Sequence, residues 1–211
     1  MTSLITLCLF TKKPIPGFAK TRLQSDCSAA VAANIAEELI RASVELVVAN
    51  WSGNVQLWAW PDIDHNVFRD VARRHSIQLK SQVPGNLGDK LWYALDAGVA
   101  EHGAAAVMGC DVPHCPPSVL RHAYTAMRVG KNVLGPSADG GFYFLGVKKS
   151  DRTMFQNVAW SAPNVTAKLL ERLRALGIEI DVTLPVIRDI DTWSDLKATA
   201  DRLPRLTCYL D

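Results

Sequence analysis

The residues best suited to chemistry fall in four short stretches. In VMGCDVPHCPP (107–117) an apolar run stops abruptly at Asp111, which a proline-stiffened turn follows. A carboxylate in that position is a hard oxygen ligand suited to Mg2+ or Mn2+. It suits equally well the plainer task of capping the turn or the helix behind it. Cys110, His114 and Cys115 stand close by, but three candidates so crowded, with no second group at finger-like spacing, make a poor zinc site. They are expected to be buried or bystander side chains. In RDIDTWSDL (188–196) Asp189 and Asp191 alternate with Ile190, so in extended chain both carboxylates point one way. Two such groups repel each other unless a cation or proton lies between them, which makes them metal candidates beside Asp111. Asp195 is expected to be structural, closing a capping box with Thr192.

The third stretch, KKPIPGFAKTRL (12–23), carries Lys12, Lys13, Lys20 and Arg22. Pro14 and Pro16 stiffen it and Gly17 permits a turn. Lys20-Thr21-Arg22 lines up an ammonium, a hydroxyl and a guanidinium, a set that suits a polyphosphate. It matches neither the GxxxxGK[ST] nor the GxGxxG phosphate loop. The alternative is a solvated basic loop, against which its place directly after an apolar strand counts.

The fourth stretch is GPSADGGFYFLG (135–146). Asp139-Gly140-Gly141 makes either a tight turn between two strands or, together with Pro136, a place where a ligand meets the backbone while Asp139 touches it. Phe142 and Tyr143 point to opposite faces, so one of them can line a pocket. Two lesser features complete the set. In GNLGDKL (85–91) the backbone around Gly85, Leu87 and Gly88 either faces an anion or nucleobase or simply starts a helix. Trp160 and Ser161 precede another helix, and Trp160 either stacks on a ring or fills a core gap. There is no Ser-His-Asp set; His65, His75, His102, His114 and His122 fall mostly in helical patterns and are expected at the surface.

Something must bring these stretches together. Apolar, β-branched runs at 4–10, 55–60, 76–80, 104–109, 132–134, 142–147 and 178–185 read as strands. Helical patterns fill 28–49, 66–74, 88–101, 117–127, 163–176 and 192–202. The first is capped by Asp26 or Ser28, the second by His65 or Asn66 and the last by Thr192, while Gly177 stops the one before it. Continuous apolar strands separated by helices predict a mostly parallel sheet covered on both faces, a three-layer α/β/α domain. The close pairing of 132–134 with 142–147 predicts one antiparallel insertion. In open sheets of this kind ligands bind outside the carboxyl ends of the strands, where these stretches lie.

The bulk properties narrow the class. With 211 residues, 48% hydrophobic and 21% charged, the chain fits one domain spanning 1–211 with an ordinary globular composition. A net charge of +2 argues against a nucleic-acid partner, and apolar runs of about seven residues fall far short of the roughly 20 needed to span a bilayer. No signal peptide is expected. Five cysteines without CxxC spacing predict reduced thiols and a cytoplasmic protein. Trp51, Trp58 and Trp60, if exposed, would serve an interface such as a homodimer's.

The succession KxPxPGxxKTRL, GxLGxxL, GxDxP, LGPxxDGGFYxLG, WS and DxDTxxDL, from about residue 4 to residue 197, resembles a family of bacterial GT-A-like proteins. That family was long carried as a domain of unknown function. Its members are often labelled glycosyltransferases, some of them linked to arsenosugar biosynthesis. More distantly the chain is similar to nucleotidyltransferases that make molybdenum-cofactor dinucleotides or guanylylate phospholactate. The resemblance implies a GT-A, nucleotide-diphospho-sugar transferase-like fold. It further implies that Lys20 and Arg22 meet phosphates, that Asp111 holds a metal with Asp189 and Asp191, and that Asp139-Gly140-Gly141 shapes the acceptor side. Asn86 stands where the family carries an acid, and Asp89-Lys90 where it carries a Glu-Arg pair, so an acidic role at 86 is not expected here.

The expected function is a metal-dependent transferase, with Mg2+ or Mn2+ as cofactor, Lys20, Arg22 and Asp111 as catalytic residues, and a nucleotide or nucleotide-sugar as donor. The acceptor would be an unidentified small molecule. Glycosyl transfer comes first; the alternatives are nucleotidyl transfer with release of pyrophosphate, or a catalytically silent nucleotide-binding module.

Overall fold

The computed structural model describes residues 5–160 and 162–210. The first strand, β1 (Thr6–Lys12), is buried from Thr6 to Phe10 and emerges only at its last two residues. It runs two residues further than the apolar pattern predicts, because Thr11 and Lys12 keep their pairing with Ala59 and Trp60. Helix α1 (Ala29–Asn50) follows, its Ser28 hydroxyl accepting from the Val31 N–H at 3.2 Å. Then come β2 (Asn54–Trp60), α2 (Asn66–His75), β3 (Gln78–Ser81), α3 (Leu87–His102), β4 (Ala105–Gly109) and α4 (Pro117–Arg128). The second half holds β5 (Val133–Pro136), β6 (Phe142–Val147), α5 (Val165–Ala175), β7 (Val182–Thr183), α6 (Trp193–Thr199) and α7 (Pro204–Thr207).

The seven strands form one sheet in the order β3-β2-β1-β4-β6-β5-β7. β6 runs antiparallel to both its neighbours, β4 and β5, and is the single reversal in a parallel sheet. On one face α1, α2 and α4 bury Ile40, Val44, Phe68 and Leu120 against Leu7, Leu9, Leu57 and Met108. On the other face α3 and α5 bury Leu91, Leu95, Leu169 and Leu173 against Cys8, Val107, Leu134 and Leu145. Each such side chain, withdrawn from water, stabilises the fold by about 1.5–3 kcal/mol. A third cluster joins Leu23, Ile35 and Leu39 to Ile190, Leu196, Leu203 and Leu206. It fastens the end of the basic loop to the segment carrying Asp189 and Asp191.

Several expectations need correction. The strand expected at 178–185 is two residues long. It pairs with β5 at Val133 and Leu134, then continues as extended chain through Leu184 N–H to Leu134 C=O (2.8 Å) and Ile187 N–H to Pro136 C=O (3.2 Å). The helix expected at 192–202 ends at Thr199 in a 3-10 turn, and α7, four residues long, is too short for a periodic pattern to reveal. Trp51 and Trp58 are buried, 3% and 2% exposed, and so offer nothing to an interface. Among the histidines His122 alone is exposed; His65 caps α2, and His102 Nδ1 lies 2.9 Å from the Thr6 hydroxyl.

Candidate active site

The chain order reverses between β1 and β4: β2 and β3 extend the sheet to one side of β1, and β4 lies on the other. At such a switch point the loops leaving the two strands part and open a crevice. Here it is a cleft of about 830 Å3. Cys110 N–H donates to Phe10 C=O at 3.0 Å, carrying the ladder one residue past β4, so that Asp111 emerges at the mouth. Ile190 N–H donates to Asp111 C=O at 2.9 Å and lays Asp189 and Asp191 alongside.

Lys20 sits at the centre of this arrangement. It adopts the left-handed conformation (φ 49°), uncommon for a side chain of its size, at the start of a 3-10 turn, Thr21–Ser25, whose Leu23 is fully buried. The side chain is 8% exposed, and its Nζ donates to Ile190 C=O (2.5 Å) and to Asp191 Oδ1 (2.9 Å) and lies 2.6 Å from Asp111 Oδ1. Burial by itself would lower the Lys20 pKa. The charges and hydrogen bonds of Asp111 and Asp191 outweigh it and hold the ammonium above the usual lysine range. Arg22 Nη1 donates to Asp191 Oδ2 at 3.0 Å from a largely exposed side chain. Burial raises the Asp191 pKa, but Lys20 and Arg22 overcome it and leave the carboxyl below its ordinary value.

Asp189 lies on the same segment but in a different field. Its Oδ1 accepts from the Ser137 hydroxyl at 3.0 Å. Burial, then the neighbouring charge of Asp111, push its pKa up to about 7. Asp195 closes the expected capping box, its Oδ2 accepting from Thr192 N–H (2.9 Å) and Asp195 N–H donating to Thr192 Oγ1 (3.2 Å).

The structure brings Lys12, Lys20, Thr21, Arg22, Leu87, Asp111, Asp139, Gly141, Trp160, Asp189 and Asp191 to the cleft wall. Gly17, Gly85, Gly88, Pro136 and Gly140 do not line it, and Ser161 lies outside the described residues. The Asp139-Gly140-Gly141 segment is a turn: Gly141 N–H donates to Asp139 Oδ1 at 2.9 Å, and Ser137 N–H to Gly141 C=O at 2.8 Å. Gly140 (φ 90°) also seats the start of α5, since a Cβ there would fall 1.9 Å from Pro163 O. Gly88 has no room for a side chain either, its Cβ position lying 2.7 Å from Phe155 Cβ and 3.1 Å from the Trp160 ring. Trp160 thus fills a gap between Phe142, Phe155 and α3 while lining the cleft.

The carboxylates supply the hard oxygens that Mg2+ or Mn2+ prefers, and the repulsion felt by Asp189 is what a cation would relieve. As they stand they form no ligand cage: among the described residues no three His, Cys, Asp or Glu side chains group as metal ligands. The Lys20 ammonium lies between Asp111 and Asp191, 2.6 Å from one carboxylate and 2.9 Å from the other. Cys110 and Cys115 are buried, as expected of bystander thiols, and burial raises the pKa of both. All five cysteines are unpaired.

Sequence reasoning missed four contributors. Lys90 and Trp60 line the cleft, Gln82 ties its floor together, and Ser137 holds Asp189. Lys90 could have been noticed as the first cation in the helix that follows the glycine-rich loop.

Comparison with solved structures places the fold. A candidate nucleotide-diphospho-sugar transferase from Desulfovibrio desulfuricans G20 superposes with a TM-score of 0.79 at 20% identity, over 98% of this chain and 99% of that one. Rv0371c from Mycobacterium tuberculosis H37Rv, in complex with manganese, gives 0.53 at 15% identity over 94% and 98%. A CMP:2-keto-3-deoxy-manno-octonic acid synthetase complexed with CTP gives 0.56 at 13% identity over 96% and 99%. The architecture is therefore that of the nucleotide-diphospho-sugar transferases, GT-A-like. Curated proteins give no match. No helix among the described residues is long and apolar enough to cross a membrane. The family model described as "Uncharacterized protein conserved in bacteria (DUF2064)" matches residues 43–162, more than half of the chain, and the protein belongs to that family.

Proposed function

We propose that the protein is a transferase using a nucleotide-activated donor, a nucleotide-sugar first, with Mg2+ or Mn2+ as cofactor and a small molecule as acceptor. One observation carries the reading: Asp111, Asp189 and Asp191 gather with Lys20 and Arg22 in a cleft at the topological switch point of a nucleotide-diphospho-sugar transferase fold. The three carboxylates would hold the cation, which when bound neutralises charge building on a diphosphate. For that, Lys20 must give up the gap between Asp111 and Asp191, and its ammonium then becomes available to the same phosphates. Arg22, already exposed, turns its fork of donors on a phosphate at little cost. Asp139 and the Gly140-Gly141 turn shape the acceptor side. The manganese complex of a protein with this fold supports the choice of cofactor. Five unpaired thiols suit a reducing cytoplasm.

Nucleotidyl transfer is the second reading. The Lys-Thr-Arg loop favours it, and so does the CTP complex of a synthetase with the same fold. Product analysis across a panel of nucleotide-sugars and nucleoside triphosphates with Mn2+ separates the two. Free nucleoside diphosphate marks glycosyl transfer and refutes the second reading; pyrophosphate marks nucleotidyl transfer and refutes the first. Binding without turnover of any donor leaves a silent nucleotide-binding module.

A further inference from the structure

Part of the positive charge at and beside the cleft is already matched. Lys13 pairs with Asp62 at 2.9 Å, Lys20 with Asp111 and Asp191, and Arg22 with Asp191. Lys12 and Lys90 are different, for among the described residues neither has a carboxylate within ion-pair distance, and both line the cleft.

The fold stations them together. Lys12 ends β1 and stands opposite Trp60 in the β1–β2 register. Lys90, the fourth residue of α3, places its Nζ 3.3 Å from the centroid of the same Trp60 ring. That ring face attracts the ammonium and fixes where its remaining donors lie. Beneath them Gln82 Nε2 donates to Thr11 C=O (3.0 Å) and Trp58 C=O (2.9 Å), tying the ends of β1 and β2 to the end of β3. Burial, and after it the charge of Lys12, hold the Lys90 pKa below the usual lysine range, so the two ammonium groups feel each other. Two unmatched cations on one wall repel, and an anion bound between them removes the repulsion and gains from both charges. Two compact ammonium groups with several free donors suit a phosphoryl group, whose three oxygens can accept from both.

We propose that Lys12, Lys90 and Trp60 form a phosphoryl-binding subsite on the β1–β2 side of the cleft, distinct from the carboxylate cluster around Lys20. The subsite deepens the donor reading and rests on it for the source of the phosphate; the alternative source is a phosphorylated acceptor. Where Lys20 is tied up by carboxylates, this pair supplies the uncommitted charge.

The test is calorimetric titration of the full chain in EDTA, so that no metal contributes, with pyrophosphate, UDP, GDP and glycerol 3-phosphate as separate probes. Lys90→Gln and Lys12→Gln should each weaken binding of the phosphate probe about tenfold, the loss of one charged hydrogen-bond donor. The double variant should lose less than the product of the two, because they share one ligand. Lys90→Arg should keep most of the affinity. Circular dichroism should show Lys90→Gln folded, although it loses the Trp60 contact together with the repulsion, which separates lost binding from lost folding. Weakening seen with pyrophosphate and the nucleotides assigns the phosphate to the donor; weakening seen with glycerol 3-phosphate alone assigns it to the acceptor. A folded Lys90→Gln whose affinities all stay within about twofold of the parent, or a parent that binds none of the probes, overturns the inference. Unchanged binding in a variant that still turns over a donor overturns the subsite and keeps the transferase. Lys90-dependent binding with no turnover does the reverse.

Discussion

Replacing Lys20 by methionine, similar in length and uncharged, tests the geometry at the heart of the site. The substitution removes an ammonium that meets Asp111 Oδ1 at 2.6 Å, Asp191 Oδ1 at 2.9 Å and Ile190 C=O at 2.5 Å. It leaves two carboxylates converging on an apolar side chain, with Asp189 on the same segment. Breaking a buried pair by deleting one partner costs about 3–5 kcal/mol. Because the Asp111 side chain is 47% exposed and Asp191 34%, water recovers part of that, and about 3 kcal/mol is the expected loss near neutral pH. The sign with pH follows from Asp191, whose folded pKa is depressed. Its stabilising pairing with Lys20 is fully present above the unfolded value of about 3.9 and fades as pH falls through the folded one. In Lys20→Met the Asp191 carboxyl loses the partner that most holds its pKa down and takes up a proton at higher pH than in the parent, so the penalty shrinks on acidification. Urea denaturation of parent and variant at neutral pH and near pH 4 reads both effects. A loss below about 1 kcal/mol at neutral pH, or one of equal size at both, would refute the reasoning.

Asp189→Asn should flatten the pH dependence of stability. The parent binds a proton at Asp189 between about pH 4 and its folded value of about 7, where the unfolded chain does not, so stability falls as pH rises through that window. The variant should therefore match the parent in acid and exceed it above neutrality by up to about 4 kcal/mol in urea melts; equal slopes would count against the assignment. Gly140→Ala should cost at least about 2 kcal/mol, since it combines a positive φ of 90° with a Cβ 1.9 Å from Pro163 O, and an unchanged melt would show that the turn shifts freely.

Much of this architecture was legible in the sequence because it obeys local rules. The spacing of Val31, Ile35 and Leu39 with Ser28 ahead of them marks α1, and the Thr192–Asp195 box marks α6. The single reversed strand follows from the close approach of 132–134 to 142–147. The failures are non-local. Nothing in the 178–185 segment says that β5 offers it only two pairing residues, and Trp51 looks like any surface tryptophan until its Nε1–H is seen donating to Ile5 C=O at 3.0 Å. The charge of the basic loop was evident, but not its matching. Lys20 finds Asp111 and Asp191, and Lys13 finds Asp62, across long sequence separations. Lys12 is left unmatched and acquires Lys90 as a neighbour from a different helix.

The central claim is that the carboxylates at the mouth of β4 and before α6 bind a nucleotide donor through a divalent cation. Calorimetric titration of nucleoside diphosphates and nucleotide-sugars into the parent and into Asp111→Ala, each with and without Mn2+, tests it directly. Mn2+ should strengthen donor binding by the parent and leave that of Asp111→Ala unchanged. Equal Mn2+-dependent binding by both proteins, or donor binding by the parent indifferent to Mn2+, would contradict it.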